Sequence, residues 1–367
     1  MNIYPFKASF PNIDLIASPE SFFETVSNEF PNFMNSGFFT SMNEEAIFIY
    51  RIYGKRSFTG IIASSALSDI EDKKILGHEH TINEKEQAMM QLMLLRKAMI
   101  KPVLLAYEEK QEINGFVENY IKNRVPFFVM DLSVQNEKHS LWDVTDRIQI
   151  EEIQHLFNNY VKKSYIADGH HRASVTAKLV RKKYLHDDSA HPGLLSVFFP
   201  FRDLEILDYN RIVNLSLKMS KVKFLAFLSS VMDIEPLKTA SKPTKKHEIT
   251  MQLDHEWYLL KWKEKVFLSV SDNKVVLDVD LFNQFILQDI LHIHDIKTTS
   301  DVMYVEGVLG LEDLEERIRK NNDYIGFCLY PVTKEDVIRI SDDGGVLPPK
   351  STWFEPRMKN GLIVKKF

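Results

Sequence analysis

Apolar residues along this chain alternate between short continuous runs and stripes at helical spacing, which predicts mixed strands and helices from end to end. Residues 46–53 and 58–64 have the composition of adjacent strands, joined by a turn containing Gly54. A long helix is predicted from Thr81 to about Ile100, with Thr81 and Glu84 spaced as a capping box and Met89, Leu92, Met93 and Met99 as its core-facing stripe. Strands follow at 101–107, where Pro102 confines the start to an edge or entry position, and at 125–132. A helix over 151–160 leads into a strand at 161–167. Residues 189–193 predict a loop, and 194–199 and 204–207 predict strands.

From Asn214 the pattern changes character. Residues 215–231 and 281–291 predict helices, 257–262 and 265–270 a hairpin-like pair, and the polar, proline-containing stretch 238–246 a loop. The expected fold class is therefore α/β, more closely α+β, with a second α+β domain after the first. The expected divisions are 1–200, 201–330, and a segment 331–367 that returns to the site of the first domain.

The sharpest local feature is Asp168-Gly169-His170-His171-Arg172, placed where the strand pattern of 161–167 turns into a helical one. Ala173, Ala177 and Val180 recur at helical spacing, so His170, His171 and Arg172 should form the first turn of a helix. Such a turn carries backbone N–H groups without intrahelical partners and attracts anions. Gly169 permits close approach of the backbone, Arg172 can grip phosphate oxygens in pairs, and the two imidazoles can hydrogen-bond or titrate. The chemistry points to a phosphorylated ligand. A plainer use of the same residues is Asp168 as a helix cap with the histidines satisfied locally. A cap needs one polar group, however, and four adjacent ones stand here.

Two other segments carry candidate chemistry. In His78-Glu79-His80, alternate histidines on an extended stretch could share a metal ion, although the spacing is not that of a helical His-Glu-x-x-His site. The alternative is Glu79 as a general base held by its neighbours. Near the end, 344–354 combines two glycines and two prolines with Lys350, Ser351 and Thr352, which present an ammonium and two hydroxyls. That loop could close over a phosphate or serve as a rigid surface turn.

Composition narrows the classes. The chain has 367 residues, 44% hydrophobic and 26% charged, with no apolar run of membrane-spanning length. Residues 1–11 lack a basic region followed by an apolar stretch, so a cytoplasmic location is expected. The single cysteine, Cys328, lies in the apolar run 324–330 and reads as a buried thiol in a strand, which excludes intrachain disulfides and thiolate clusters. A formal charge of −5 gives no general drive toward nucleic acid. The expected partners are small molecules.

Taken in order, the His-Glu pair at 78–79, the Lys-Pro-Val-Leu-Leu strand at 101–105, Tyr-Ile-Ala-Asp-Gly-His-His-Arg at 165–172 and Pro-Pro-Lys-Ser-Thr at 348–352 resemble a prokaryotic family. That family is domain of unknown function 1015, and more distantly the motifs are similar to the free serine kinases of archaea, of the ParB/sulfiredoxin-like superfamily. The resemblance implies a ParB/sulfiredoxin-like N-terminal domain and phosphoryl transfer from ADP or ATP, with Mg²⁺, to a small hydroxyl-bearing metabolite such as free serine. It implies Glu79 as the base, with His78 and His80 supporting it. Asp168, Gly169, His170, His171 and Arg172 would hold phosphates and the magnesium shell, and Lys350, Ser351 and Thr352 would contact nucleotide or product phosphate. Ile82 and Asn210 stand where the family often has Arg and His. Two further functions remain open: a nucleotide-binding switch without turnover, and a metal-dependent hydrolase.

Overall fold

The computed structural model describes residues 1–184, 193–216, 218–270, 275–296 and 299–367. The chain divides into two compact units, Met1–Glu205 with Pro356–Phe367, and Ile206–Glu355. Both mix helices with sheets, as the alternating pattern implies.

The first unit is organised by one mixed sheet. Its strands are β1 (Ile47–Tyr53), β2 (Ser57–Ala66), β3 (Ile75–Leu76), β4 (Val103–Tyr107), β5 (Phe128–Leu132), β6 (Glu137–Val144), β7 (Ser164–Asp168) and β8 (Gly193–Pro200). Their order is β3-β7-β4-β8-β2-β1-β6-β5, and Ile3–Tyr4 adds a short pairing to β2. β3 runs parallel to β7 and β4 parallel to β8, while the remaining neighbours are antiparallel. Every residue of β4 and β8 is buried, which is why each reads in the sequence as a continuous apolar run rather than an alternating one.

The longer helices of this unit are α1 (Pro19–Asn35), α2 (Asn83–Arg96), α3 (Gln111–Lys122), α4 (Arg147–Tyr160) and α5 (His170–Arg181). α2 and α5 pack on each other, and α5 also packs on β4 and β8. Across the α2–α5 contact the buried carboxylate of Glu86 accepts hydrogen bonds from Ser174 Oγ and Lys178 Nζ, both at 2.5 Å. Burial pushes that carboxyl up, but hydrogen bonds from Lys178, Ser174 and Thr81 outweigh it and hold it at about 2.

A small sheet closes the unit. Strand Val364–Lys366 lies between Ala8–Pro11 and Ala98–Met99, so the last residues of the chain run beside the segment that leads into β4. The second unit holds an antiparallel sheet of β9 (Tyr209–Asn214), β10 (Met232–Leu237), β11 (Glu248–Leu253), β12 (Glu256–Trp262), β13 (Val302–Glu306) and β14 (Tyr324–Leu329). The order is β10-β12-β11-β14-β9-β13. Cys328 is buried in β14, and the apolar surroundings push its thiol up to about 12, so it behaves as a small hydrophobe.

Several local expectations are corrected. α2 begins at Asn83 behind Ile82, with no side-chain cap, so Thr81 and Glu84 do not form a capping box. Its buried positions are Glu86 and Met93, whereas Leu92 is exposed and Met89 half-buried, because the α2–α5 contact is partly polar. Residues 265–270 do not pair with β12: Glu264–Leu268 is a short helix, the apolar triplet Val266, Phe267 and Leu268 being compatible with either period. The helix expected from residue 215 starts at Lys221, where the Ser220 hydroxyl accepts from Lys223 N. That expected from residue 281 is a π-helix over Phe282–Ile290 after Asp278–Leu281. Of the loop expected at 189–193, residues 189–192 lie outside the described residues.

Gly60 in β2 shows how tightly the central strands pack. A Cβ built there would lie 2.7 Å from the Phe198 carbonyl oxygen and 2.8 Å from the Phe199 ring. Both belong to the adjacent strand, so neither can move without opening the sheet. Gly60→Ala should therefore destabilise the protein by about 1–3 kcal/mol, the usual cost of overpacking. Denaturant unfolding of the two proteins checks this, and an unchanged midpoint would show that the sheet yields at this point.

Candidate functional site

β3 and β7 are neighbours and run parallel, with Ser164 opposite Ile75 and Tyr165 opposite Leu76. Segments leaving the C-terminal ends of both strands therefore emerge side by side. One is Gly77-His78-Glu79-His80, and the other is Asp168-Gly169 followed by α5. Residues 78–80 and 168–172, some ninety positions apart in the chain, meet because two short strands pair in register.

The contacts between them are specific. Nε2 of His170 accepts a hydrogen bond from the backbone N–H of His78 at 3.2 Å, and Nε2 of His171 accepts from the backbone N–H of Ile82 at 3.1 Å. A nitrogen that accepts cannot carry a proton, so the neutral His170 ring has its hydrogen on Nδ1. That atom lies 3.4 Å from Oε2 of Glu79. His170 is thus pinned on one side by the main chain and offers a donor to the Glu79 carboxylate on the other. Burial, then the neighbouring His78, pushes the His170 imidazole well below its ordinary value, so it stays neutral. Burial alone lowers His78 to about 4.

Glu79 and His80 are exposed, with 40% of the Glu79 side chain open, whereas His78 is fully buried and its ring meets that of His170 edge-on at 4.7 Å. The two histidines flanking Glu79 therefore do not share a face. Among the described residues no group of three or more His, Cys, Asp or Glu side chains is arranged to hold a metal ion, so the shared-ion expectation for His78 and His80 fails.

Gly169 is the N-cap of α5, with a left-handed φ of +106° and no side chain to cap the helix. That φ favours glycine, and a Cβ there would stand 2.7 Å from an Arg172 guanidinium nitrogen, so a larger residue would also displace the guanidinium. Asp168 does not cap the helix. Its Oδ2 lies 2.9 Å from Arg172 Nη2 and 3.4 Å from Lys101 Nζ. Arg172 Nη2 also reaches the Pro102 carbonyl at 3.4 Å, and its Nε is buried with no partner among the described residues. Burial pushes the Asp168 carboxyl up, but the charges of Arg172, Lys101 and Arg357 hold it well below the usual carboxylate range. Burial lowers the Lys101 ammonium, opposed by Asp168. The turn is thus cationic around one embedded carboxylate.

Lys350, Ser351 and Thr352 belong to the second unit. Lys350 has a φ of +59°, its Nζ sits 5.1 Å from the centre of the Tyr209 ring, and its carbonyl accepts from Arg211 Nη2 at 3.2 Å. Ser351 is buried and donates to the Pro348 carbonyl at 2.5 Å, and Thr352 is half-buried. Arg211 is 2% exposed, and Asn210 beside it is fully buried.

Sequence reasoning missed Lys101 and Arg357. Lys101 was legible only within the Lys-Pro-Val-Leu-Leu strand, because it joins the site through the pairing of β4 with β7, and Arg357, remote in sequence, acts on Asp168 through its charge. No helix among the described residues is long and apolar enough to cross a membrane.

Comparison with known proteins yields structural neighbours and a family. A free serine kinase in complex with ADP aligns over 85% of this chain and 95% of its own, at 14% identity and a TM-score of 0.39. SbnI from Staphylococcus aureus, with a C-terminal truncation, aligns over 82% and 85%, at 9% identity and a TM-score of 0.42. A conserved hypothetical protein from Pyrococcus furiosus aligns over 83% and 95%, at 15% identity and a TM-score of 0.37. No curated protein sequence matches the chain. The family model described as protein of unknown function DUF1015 matches residues 7–281, three quarters of the length, and the chain therefore belongs to that family.

Proposed function

We propose that the first unit is a phosphotransferase site, which takes a phosphoryl group from ADP or ATP and passes it to a small hydroxyl-bearing metabolite, free serine being the first candidate. The observation that carries this reading is the chain His78 N–H to His170 Nε2 and His170 Nδ1 to Glu79 Oε2. It fixes an exposed carboxylate beside the N-terminus of α5, where phosphate is favoured by the helix start and by Arg172 and Lys101.

The steps balance simply. Nucleotide phosphates rest against residues 169–172, and the acceptor hydroxyl approaches Glu79. Glu79 takes the hydroxyl proton as the oxygen attacks the terminal phosphorus, and the bond to the leaving nucleotide oxygen breaks. AMP leaves if ADP is the donor, and ADP leaves if ATP is. His170 does not transfer protons in this scheme. As a neutral Nδ1–H donor it positions Glu79 and leaves the carboxylate charged.

A magnesium shell at Asp168 does not fit these residues, because Arg172 and Lys101 already surround its carboxylate and a dication there would meet like charge. The ParB/sulfiredoxin-like placement of the first unit and a cytoplasmic location belong to the same proposal.

Glu79→Gln should cut product formation by roughly 10²–10⁴ while leaving the nucleotide dissociation constant unchanged. A parallel loss of both would mark Glu79 as a binding or structural residue. Wild-type protein that binds nucleotide but phosphorylates none of a panel of hydroxy amino acids and polyols would point to a binding switch instead.

The pH profile offers a separate check. Because His170 is held well below its ordinary 6.5, product formation should show no inflection near pH 6.5 that depends on this residue. An acidic limb centred there in wild type, absent from His170→Gln, would give His170 a proton-transfer role and overturn its assignment as a neutral donor.

A further inference from the structure

The acidic and basic groups around Asp168 are not matched one to one. Lys101 and Arg172 both reach the same carboxylate oxygen, and the charge of Arg357 acts on both Asp168 and Lys101. Lys101 and Arg172 are two cations against one carboxylate, which leaves positive charge to meet an anion. The cluster is not sealed, since the Lys101 and Arg172 side chains keep 17% exposure and Asp168 keeps 25%. Buried in the same place is Arg172 Nε, with no partner among the described residues. An N–H of a guanidinium left this way is a standing donor for an incoming anion.

The backbone around Lys101 is anchored. Lys101 is followed by Pro102, whose carbonyl accepts from Arg172, and then by the wholly buried β4. Asp168 opposes β4 in register with Leu104, so the carboxylate and the ammonium are held on adjacent strands. With 17% of its side chain exposed and its ammonium beside Asp168, Lys101 has already given up part of the side-chain freedom that a surface lysine would surrender on binding.

We propose that Lys101 and Arg172, backed by Arg357, form a metal-independent phosphate site in which Asp168 is the resident counter-charge rather than a metal ligand. For a nucleotide as the ligand this rests on the phosphotransferase reading. The phosphate itself is identified by the charge and donors alone. Asp168 keeps the cations together when the site is empty, and an entering phosphate shares them, with the first-turn N–H groups of α5 supplying further donors.

The experiment is calorimetric titration of the full chain with ADP, ATP and inorganic pyrophosphate, each in Mg²⁺ and in EDTA. Wild type should bind in EDTA within about threefold of its affinity in Mg²⁺. Lys101→Met should weaken binding of all three by about 10- to 100-fold, the worth of one charge-assisted contact. Lys101→Arg should recover most of that loss, which a merely structural lysine would not require, and thermal melts establish that each variant is folded. Asp168→Asn keeps an acceptor oxygen for Arg172 but removes one negative charge, so it should bind pyrophosphate at least as tightly as wild type.

The inference is overturned if binding needs Mg²⁺ and Asp168→Asn abolishes it, which is the behaviour of a metal ligand. It is also overturned if folded Lys101→Met binds as wild type does, in which case tight ADP binding would leave the phosphotransferase reading standing. Binding of pyrophosphate but not of ADP or ATP would do the reverse, supporting the anion site and removing the nucleotide. Failure of all three ligands to bind wild type would reject both.

Discussion

Everything at the site depends on two imidazoles used as hydrogen-bond acceptors. His170 and His171 take the backbone N–H groups of His78 and Ile82, and so fasten the segment after β3 onto the first turn of α5. Without them residues 78–82 would be a surface connection, and Glu79 would have no fixed position relative to the helix start. The fastening works only while the rings are neutral, because a protonated imidazole cannot accept. Burial supplies that condition at His170, and it does so at His171 as well, where it lowers the imidazole to a smaller extent.

The next shell keeps the fastening in place. Glu86, one turn into α2, is held by Ser174 and Lys178 of α5, so the helix after the His-Glu-His segment and the helix after the Asp-Gly turn are joined a second time. Below them, the parallel pairing of β3 with β7 sets the two segments at one end of the sheet. The arrangement resembles a hinge pinned at several heights: strands at the base, two imidazole acceptors at the level of the site, and a buried carboxylate above. Rigidity at this point is what the proposed role of Glu79 as a base requires, since its oxygen must meet the acceptor proton at hydrogen-bond distance.

The sequence made part of this legible and hid the rest for physical reasons. The strand of 161–167, the glycine turn and the helix after it carry strong local signals, and β7, Gly169 and α5 follow them closely. What the histidines do was not legible, because whether an imidazole faces a ligand or a neighbouring backbone depends on which strand lies alongside. Each ring's Nε2 accepts a backbone N–H of the segment after β3, a contact that no local pattern encodes. Thr81 looked like a cap by its spacing to Glu84, yet its hydroxyl serves Glu86 and the backbone N–H of Ile82 is met by His171. Lys101 enters through the pairing of β4 with β7, which no local pattern encodes. The misread stretch 265–270 and the π-helix at Phe282–Ile290 are cases where a short apolar run fits more than one period.

The most direct measurement is a structure of the protein with ADP bound. The account predicts the diphosphate against the backbone of Gly169 to Arg172, within hydrogen-bond reach of Arg172 and Lys101, with Glu79 Oε2 still beside His170 Nδ1 and facing the terminal phosphorus. A diphosphate bound elsewhere in the molecule, or a Glu79 swung away from His170 with nucleotide in place, would contradict it.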